Sequence, residues 1–383
     1  MRSAHIRGWG KFVPPQVMTN QDLARFVETD DEWIRTRTGI AERRVAGKTD
    51  TTLTMAVKAA REALRVADFD STQVELVIVA TATPDRVFPA TACMVQDELG
   101  AEHAAAFDLS AGCSGFVYAL SVASTMLKAG AANNALVIGS DALTHILDWT
   151  DRNTCVLFGD GAGAFLLQAT EEPGGILSFE LGSDGSGGDL LTGPMVGNTY
   201  EPAVGANLSH DFIFMNGRAV FRFATRIMAL AAERTIQKAG LTSDDIDLFI
   251  PHQANVRIIE AAARHLKLPM EKVYVNIHRY GNTSAASIPV ACCEAVEEGR
   301  LHPGDRIVMV GFGAGLTWGA VTVQWEPMPK QLQPREVRVA RRWLRHQKAR
   351  ATHLRHKLGH RAGEVVDTGT AVIEKQRKRH GER

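Results

Sequence analysis

The chain has 383 residues, 45% of them hydrophobic, with 43 Lys and Arg balancing 43 Asp and Glu. That supplies a large buried core; no stretch is long and apolar enough to cross a membrane, and Met1-Arg2-Ser3-Ala4-His5 does not open a signal-peptide core. The five cysteines (Cys93, Cys113, Cys155, Cys292, Cys293) show no disulfide framework and no CxxC or Cys/His spacing for zinc, which implies free thiols in a reducing cytoplasm and no bound metal.

The zero net charge conceals an asymmetry. Residues 1–329 hold 27 Lys and Arg against 38 Asp and Glu, a charge of −11. Residues 330–383 hold 16 against 5, a charge of +11. An acidic body therefore carries a basic tail, and each needs its own reading.

In chain order, periodicity first predicts an amphipathic helix through Ala59–Ala67, a turn over Asp68–Thr72 and a buried strand Leu76–Ala80. Next, the apolar run Ala104–Phe107 leads through Asp108-Leu109-Ser110-Ala111-Gly112 to Cys113-Ser114-Gly115, and an apolar helix follows over Phe116–Leu127. A turn of small residues thus delivers a thiol to a helix start, where backbone N–H groups favour the thiolate. That placement marks Cys113 as a nucleophile. The other four cysteines read as small buried hydrophobes. Gly159–Gly163 reads as close packing. Gly182–Gly188 lacks the Gly-Lys-Ser/Thr and following helix of a phosphate loop, so it reads as a flexible turn.

From Ala231 to Ile250 the first helix, turn and strand return without gaps at an offset of 172 residues. Ala67 matches Ala239, Ser71 matches Ser243, Val74 matches Ile246 and Glu75 matches Asp247. Gly112-Cys113-Ser114 then finds a counterpart in Gly281-Asn282-Thr283, and Gly159–Gly163 in Gly311–Gly315. A period this long implies two duplicated α/β halves, 1–171 and 172–327, rather than a solenoid, with parallel or mixed sheets covered by helices. A pseudo-twofold axis between such halves brings Cys113, Asn282 and the strand-end residue His252 to one place. A lone histidine in an apolar run is ordinarily a core residue. The strand end, with Gln253 and Asn255 following, points instead to a site. Asn282 also suits a helix N-cap.

With these residues in view, the chain resembles the β-ketoacyl-acyl-carrier-protein synthase III family of thiolase-like condensing enzymes. The likeness runs from residue 1 to about 326. It is carried by Asp31-Glu32-Trp33-Ile34 with Arg37-Thr38-Gly39-Ile40, the Cys113 elbow, Phe158–Gly163, Pro251-His252-Gln253-Ala254-Asn255, Tyr280–Ser287 and Gly311–Trp318. The resemblance implies an α/β, duplicated, five-layered α-β-α-β-α fold and a homodimer. It implies that an acyl group from acyl-CoA forms a thioester on Cys113, that His252 and Asn282 stabilise the enolate of a malonyl-carrier thioester, and that the N–H groups of Cys113 and Ala314 form the oxyanion site. Family members often carry glycine where Ala314 stands, and its methyl group narrows the site. The resemblance further places Trp33 and Arg152 about the CoA adenine, Arg37 near its phosphates, and Asn216, Gly217 and Asn255 along the pantetheine arm. Phe88, Phe158 and Met215 would shape the acyl pocket, Phe88 from across the dimer. Arg218, Arg222, Arg257, Arg264 and Lys267 would receive the acidic acyl carrier protein. No cofactor is implied beyond acyl-CoA as substrate. A thiolase would need a second cysteine in the Gly311–Gly315 turn, and there is none. A starter-unit ketosynthase of a secondary-metabolite pathway would show the same trio. From another class, a non-catalytic scaffold would bind nucleic acid or another anionic surface through the tail.

The tail, 328–383, has no counterpart in that family. Val337, Ala340, Leu344, Gln347, Ala351, Leu354 and Leu358 recur at three-four spacing with Arg, Lys and His between them, which predicts a basic amphipathic helix ending at Gly359. The composition also fits a solvated tail. A partner for it would be anionic: carrier protein, membrane or nucleic acid.

Overall fold

The structure, a computed structural model, describes residues 2–194 and 211–326. The amphipathic pattern of the tail lies outside the described residues. Strand β1 (Ser3–Phe12) opens the chain, followed by β2 (Val17–Thr19), α1 (Asn20–Leu23), α2 (Asp31–Thr38) and β3 (Glu42–Arg44), with β2 and β3 paired antiparallel. Helix α3 (Thr52–Ala67) starts at a Thr51–Thr54 capping box and ends at Asp68 in the left-handed conformation. Its alanines let β1 approach: a Cβ on Gly8 or Gly10 would stand 2.2 Å from the Ala63 carbonyl oxygen or 2.3 Å from that of Ala59. Then come β4 (Leu76–Ala80), α4 (Thr91–Leu99), β5 (Ala105–Leu109), α5 (Gly115–Lys128), β6 (Asn134–Asp141) and β7 (Gly161–Thr170). The first sheet has the order β1-β7-β6-β4-β5, with β4 parallel to both its neighbours.

The second set follows as β8 (Gly175–Ser183), a short pair β9 (Leu191–Thr192) and β10 (Phe214–Met215), α6 (Gly217–Lys238), β11 (Leu248–Pro251), α7 (Val256–Leu266), α8 (Ile277–Tyr280), α9 (Ser287–Glu297), β12 (Arg306–Gly313) and β13 (Thr317–Gln324). Its sheet has the order β11-β12-β13-β8. The repeat seen in the sequence is a structural one. Helix α3, a 3₁₀ turn at Ser71–Gln73 and β4 correspond to α6, a 3₁₀ turn at Ser243–Asp245 and β11.

Five layers result. Helices α3 and α4 cover the outer face of the first sheet around Val77, Val79, Leu136 and Ile138. The central layer, α5 and α9, is buried between the sheets by Ile78, Val137 and Phe165 on one side and Ile250, Met309 and Val321 on the other. Helices α6 and α7 cover the second sheet around Phe249, Val308 and Val310. An element hydrophobic all round must lie inside, and α5 and α9 do. No helix among the described residues is long and apolar enough to cross a membrane.

Two glycine-rich stretches separate here. Gly159 and Gly163 pack closely, as expected: a Cβ on Gly159 would meet the Tyr280 carbonyl at 2.3 Å, and one on Gly163 would meet Pro289 of α9 at 2.7 Å. The stretch Gly182–Gly188, expected as a flexible turn, is regular secondary structure that is mostly exposed. Gly182 and Ser183 finish β8, and Gly185–Leu190 form a 3₁₀ helix started by the Asp184 side chain on the Ser186 N–H. Asp184 and Leu316 exchange both backbone hydrogen bonds, 2.8 and 2.9 Å, so this segment buttresses the turn between β12 and β13.

Candidate active site

Beyond β5 the chain reverses at Gly112, whose φ of +53° glycine tolerates best. It then forms a 3₁₀ turn, Gly112–Ser114, that runs into α5. A Cβ on Gly112 would stand 2.9 Å from the Ala314 nitrogen, and one on Gly313 only 2.5 Å from the Cys113 nitrogen. The nucleophile turn and the β12–β13 turn therefore touch through two glycines. The Ala314 methyl packs over Gly112, which has no side chain to oppose it.

Cys113 is buried, and its ionisation differs from the sequence expectation. Burial pushes the thiol up to about 12; a Ser284 hydrogen bond works against this, the nearby Asp141 adds to the rise, and an Asn282 hydrogen bond opposes it. Loss of solvation outweighs the backbone N–H that favours the thiolate at this helix start.

His252 follows the last residue of β11, and its N–H donates to the Val310 carbonyl of β12 at 2.7 Å. Its ring is buried, with Nδ1 2.5 Å from Ser287 Oγ and the Phe312 ring edge-on at 5.4 Å. Ser287 Oγ accepts from the Gln253 N–H at 3.5 Å. In the tautomer where Ser287 donates its own proton to Nδ1, the ring proton stands on Nε2. Nε2 is buried with no hydrogen-bond partner among the described residues. Burial lowers the pKa to about 3, so the imidazole is neutral at physiological pH.

Asn282 is the counterpart of Cys113 in the second half. Gly281 turns the chain with φ +64°, and Asn282 bridges to Phe158, its N–H on the Leu157 carbonyl at 2.8 Å and its carbonyl accepting from Gly159 at 3.0 Å. Oδ1 accepts from the Ser284 N–H at 2.8 Å. Asn282 is not the N-cap expected from the sequence, since Thr283 and Ala286 hold the cap positions of the 3₁₀ turn and of α9; it orders the turn ahead of them and keeps its amide NH₂ for the Cys113 sulfur. Cys113 and the His252 backbone both abut one end of β12, and Asn282 reaches Cys113. That strand holds the His252 backbone at Val310 and abuts Cys113 at Gly311 and Gly313.

Two supporting residues escaped the sequence reading. Ser287, which orients His252, sits inside a quoted motif, but only the fold turns it toward the ring. Asp141 is fully buried at the end of β6. Its carboxylate accepts from Thr81 Oγ1 (3.0 Å), Ala82 N (2.7 Å), Thr83 N (3.2 Å), Thr83 Oγ1 (3.1 Å) and Ala285 N (3.0 Å). It pins the Asn282 turn to the end of β4, and burial pushes its pKa up despite those donors.

The remaining expected residues divide. Trp33 lies on α2, half-buried, with the guanidinium carbons of Arg37 and Arg152 at 4.5 and 5.0 Å from its ring centre. Asn255 caps α7 through the Arg257 N–H and donates to the Arg37 carbonyl at 2.9 Å, which joins α7 to that cluster. Asn216 caps α6, and only the Met215 methyl approaches Gly217, 3.7 Å from where a Cβ would be. Phe158 is buried with Leu143, Leu147 and Ile213 beside Asn282. Phe88 does not join these within one chain: it is 83% exposed, next to Val87 at 69%. Arg218, Arg222, Arg257, Arg264 and Lys267 are all exposed along α6 and α7. Arg257 lies over Phe221 at 5.5 Å, and Arg264 pairs with Glu260 at 3.8 Å. Among the described residues no group of His, Cys, Asp and Glu could hold a metal ion.

A duplicated five-layered α-β-α-β-α fold with buried Cys113, His252 and Asn282 at the junction of its halves is that of the thiolase-like condensing enzymes. Comparison with known proteins narrows this. The family model of 3-oxoacyl-[acyl-carrier-protein] synthase III matches residues 107–185, and that of its C-terminal part matches 236–325. A β-ketoacyl-[acyl-carrier-protein] synthase III of Roseiflexus sp. (strain RS-1) is 54% identical over 324 residues, 84% of this chain and 98% of that one. The solved structure of the synthase III of Thermus thermophilus is 48% identical, with a TM-score of 0.80 over 84% of this chain and 99% of that one. The solved priming β-ketosynthase of the R1128 polyketide pathway is 36% identical, with a TM-score of 0.79 over 86% and 98%. The chain belongs to the β-ketoacyl-acyl-carrier-protein synthase III family and is a condensing acyltransferase.

Proposed function

We propose that this chain joins a short acyl-CoA starter to malonyl-acyl carrier protein in the first condensation of fatty-acid synthesis, with Cys113, His252 and Asn282 as its catalytic residues. The Cys113 sulfur attacks the acyl-CoA carbonyl. The resulting oxyanion is held by the N–H groups of Cys113 and Ala314, and CoA leaves with the thiol proton. In the second half-reaction the C–C bond to the malonyl carboxylate breaks and CO₂ leaves. The electron pair becomes an enolate whose oxygen accepts hydrogen bonds from His252 Nε2–H and the Asn282 NH₂. The enolate carbon attacks the acyl-Cys113 carbonyl, the β-ketoacyl-carrier product departs, and the thiolate takes one proton from solvent. The observation that carries this reading is the buried, unpartnered Nε2 of a neutral histidine held at the same end of β12 as Cys113; with the proton on Nε2 it is a donor ready for an anion that does not yet exist.

In this reading the halves 1–171 and 172–327 each contribute one side of the site. Acyl-CoA enters along Trp33, Arg37, Arg152, Asn216, Gly217 and Asn255, and Phe158 and Met215 line the acyl pocket. Carrier protein docks on Arg218, Arg222, Arg257, Arg264 and Lys267. Two chains pair as a homodimer. The support for this is β5, an edge strand whose outer side has no partner among the described residues, together with the exposed Val87 and Phe88. We place the reaction in the cytoplasm, in keeping with five free cysteines. The intact trio speaks against a non-catalytic scaffold.

The test is mass spectrometry of the intact chain after exposure to a panel of short acyl-CoAs. An acyl adduct on Cys113 that disappears on adding malonyl-carrier protein is expected; no adduct with any starter sinks the reading. The kinship with a priming ketosynthase favours one second reading, a starter-unit enzyme of a secondary-metabolite pathway, and the same panel separates the two by preferred starter. Trp33→Ala should raise KM for acyl-CoA about 10-fold with kcat unchanged, since stacking a base on an aromatic ring is worth ~1–3 kcal/mol. Steady-state kinetics check this.

A further inference from the structure

The two oxyanion donors sit 201 residues apart, at 113 and 314, on separate turns. Their relative position must hold to a fraction of an ångström, because donors act on charge at a set distance. Gly112 and Gly313 let the turns approach but do not fasten them. Two hydroxyls do. Ser114 Oγ lies 2.8 Å from the Ala111 carbonyl and 2.8 Å from Thr317 Oγ1. Thr317 Oγ1 lies 3.0 Å from the same Ala111 carbonyl and 3.0 Å from the Ala314 carbonyl. Ala111 precedes the nucleophile turn, and Ala314 carries the second donor. Ser114 is fully buried. With Ser114 donating to Thr317 and Thr317 donating to Ala314, or with both hydroxyls donating to Ala111, one hydrogen bond crosses the gap between the turns.

We propose that Ser114 and Thr317 are positioning residues whose hydroxyl clasp sets the spacing of the Cys113 and Ala314 N–H groups. Neither touches the acyl group. They act through the two peptide segments they hold, one from each half of the molecule. The clasp therefore governs acyl transfer at Cys113, where the oxyanion forms. It does not govern decarboxylation, whose enolate lies on His252 and Asn282. The inference rests on the function proposed above.

The test uses the full chain and three readouts: single-turnover acylation of Cys113, CO₂ release from malonyl-carrier protein without starter, and KM for acyl-CoA. Thr317→Val keeps the shape and removes the clasp; Ser114→Ala removes its other half with little change in packing. Each should slow acylation about 10- to 100-fold, the scale of a small misplacement of catalytic groups. Decarboxylation and KM should stay within about twofold. Thr317→Ser should restore acylation, and the double variant Ser114→Ala/Thr317→Val should be no slower than Thr317→Val alone. Acylation at the wild-type rate in both single variants overturns the proposal. So does a parallel fall in acylation and decarboxylation, which would mark general loosening, or a Thr317→Ser variant as slow as Thr317→Val. A wild-type chain that never acylates would instead overturn the underlying function.

Discussion

Replacing His252 with alanine is expected to lower condensation by about 100- to 1,000-fold, the usual effect of removing one preorganised donor to a developing oxyanion, while acyl transfer onto Cys113 continues. The split arises because the proposed roles are separate. His252 holds its proton on Nε2, and burial leaves the ring neutral with a pKa lowered to about 3. It is therefore a hydrogen-bond donor from pH 9 down to pH 5 without changing charge. Lowering the pH across that range should not reduce decarboxylation through this residue, since the imidazolium forms only near its depressed pKa. A fall in rate with an apparent pKa near 6.5, absent in the His252→Ala variant, would contradict a neutral donor. Ser287→Ala removes the hydroxyl that assigns the tautomer and should slow CO₂ release about 10-fold with unchanged acylation. Stopped-flow CO₂ release and adduct formation, measured on the same preparations, check both.

The proposed trio is legible because the chain is duplicated. Cys113 alone is a thiol at a turn, and Asn282 alone reads as a helix cap. Their equal places in two copies, with His252 at the matching strand end, are what point to one dyad. The strand Leu76–Ala80 has the limits its apolar run predicts, whereas the helix predicted through Ala59–Ala67 starts earlier, at Thr52. What stayed hidden depends on the third dimension. Ser287, Asp141 and Thr317 act on residues distant in sequence, and no local pattern distinguishes a serine facing His252 from one facing solvent. The 3₁₀ segment Gly185–Leu190 looked flexible because it is glycine-rich. Its order comes from backbone bonds to Leu316, more than 100 residues away. The thiol's ionisation is legible only in part for the same reason: the helix-start N–H that favours the thiolate is visible in sequence, whereas the burial that opposes it is not.

That burial yields the second large prediction. With the Cys113 thiol pushed up to about 12 by burial, the resting site holds the protonated thiol at pH 7. Alkylation of Cys113 in the free enzyme by iodoacetamide, followed by mass spectrometry of its peptide, should rise about tenfold per pH unit from 6 to 9 with no plateau, because the thiolate is the reactive form. A plateau near neutrality would mean a resting thiolate and would refute this account. His252→Ala should leave the slope unchanged, since a neutral ring with its proton on Nε2 is no base for the thiol. Acylation from acyl-CoA should outrun alkylation at pH 7 by several orders of magnitude, and Cys113→Ala should abolish it outright. The contrast has a physical source. Iodoacetamide offers no oxyanion, whereas a thioester carbonyl places its developing charge on the N–H groups of Cys113 and Ala314, so the site stabilises the transition state and not the resting anion. A thiol kept protonated and buried also resists oxidation, which follows thiolate character and exposure. The depth that makes Cys113 a poor general nucleophile thus confines its reactivity to substrates that fill the oxyanion site.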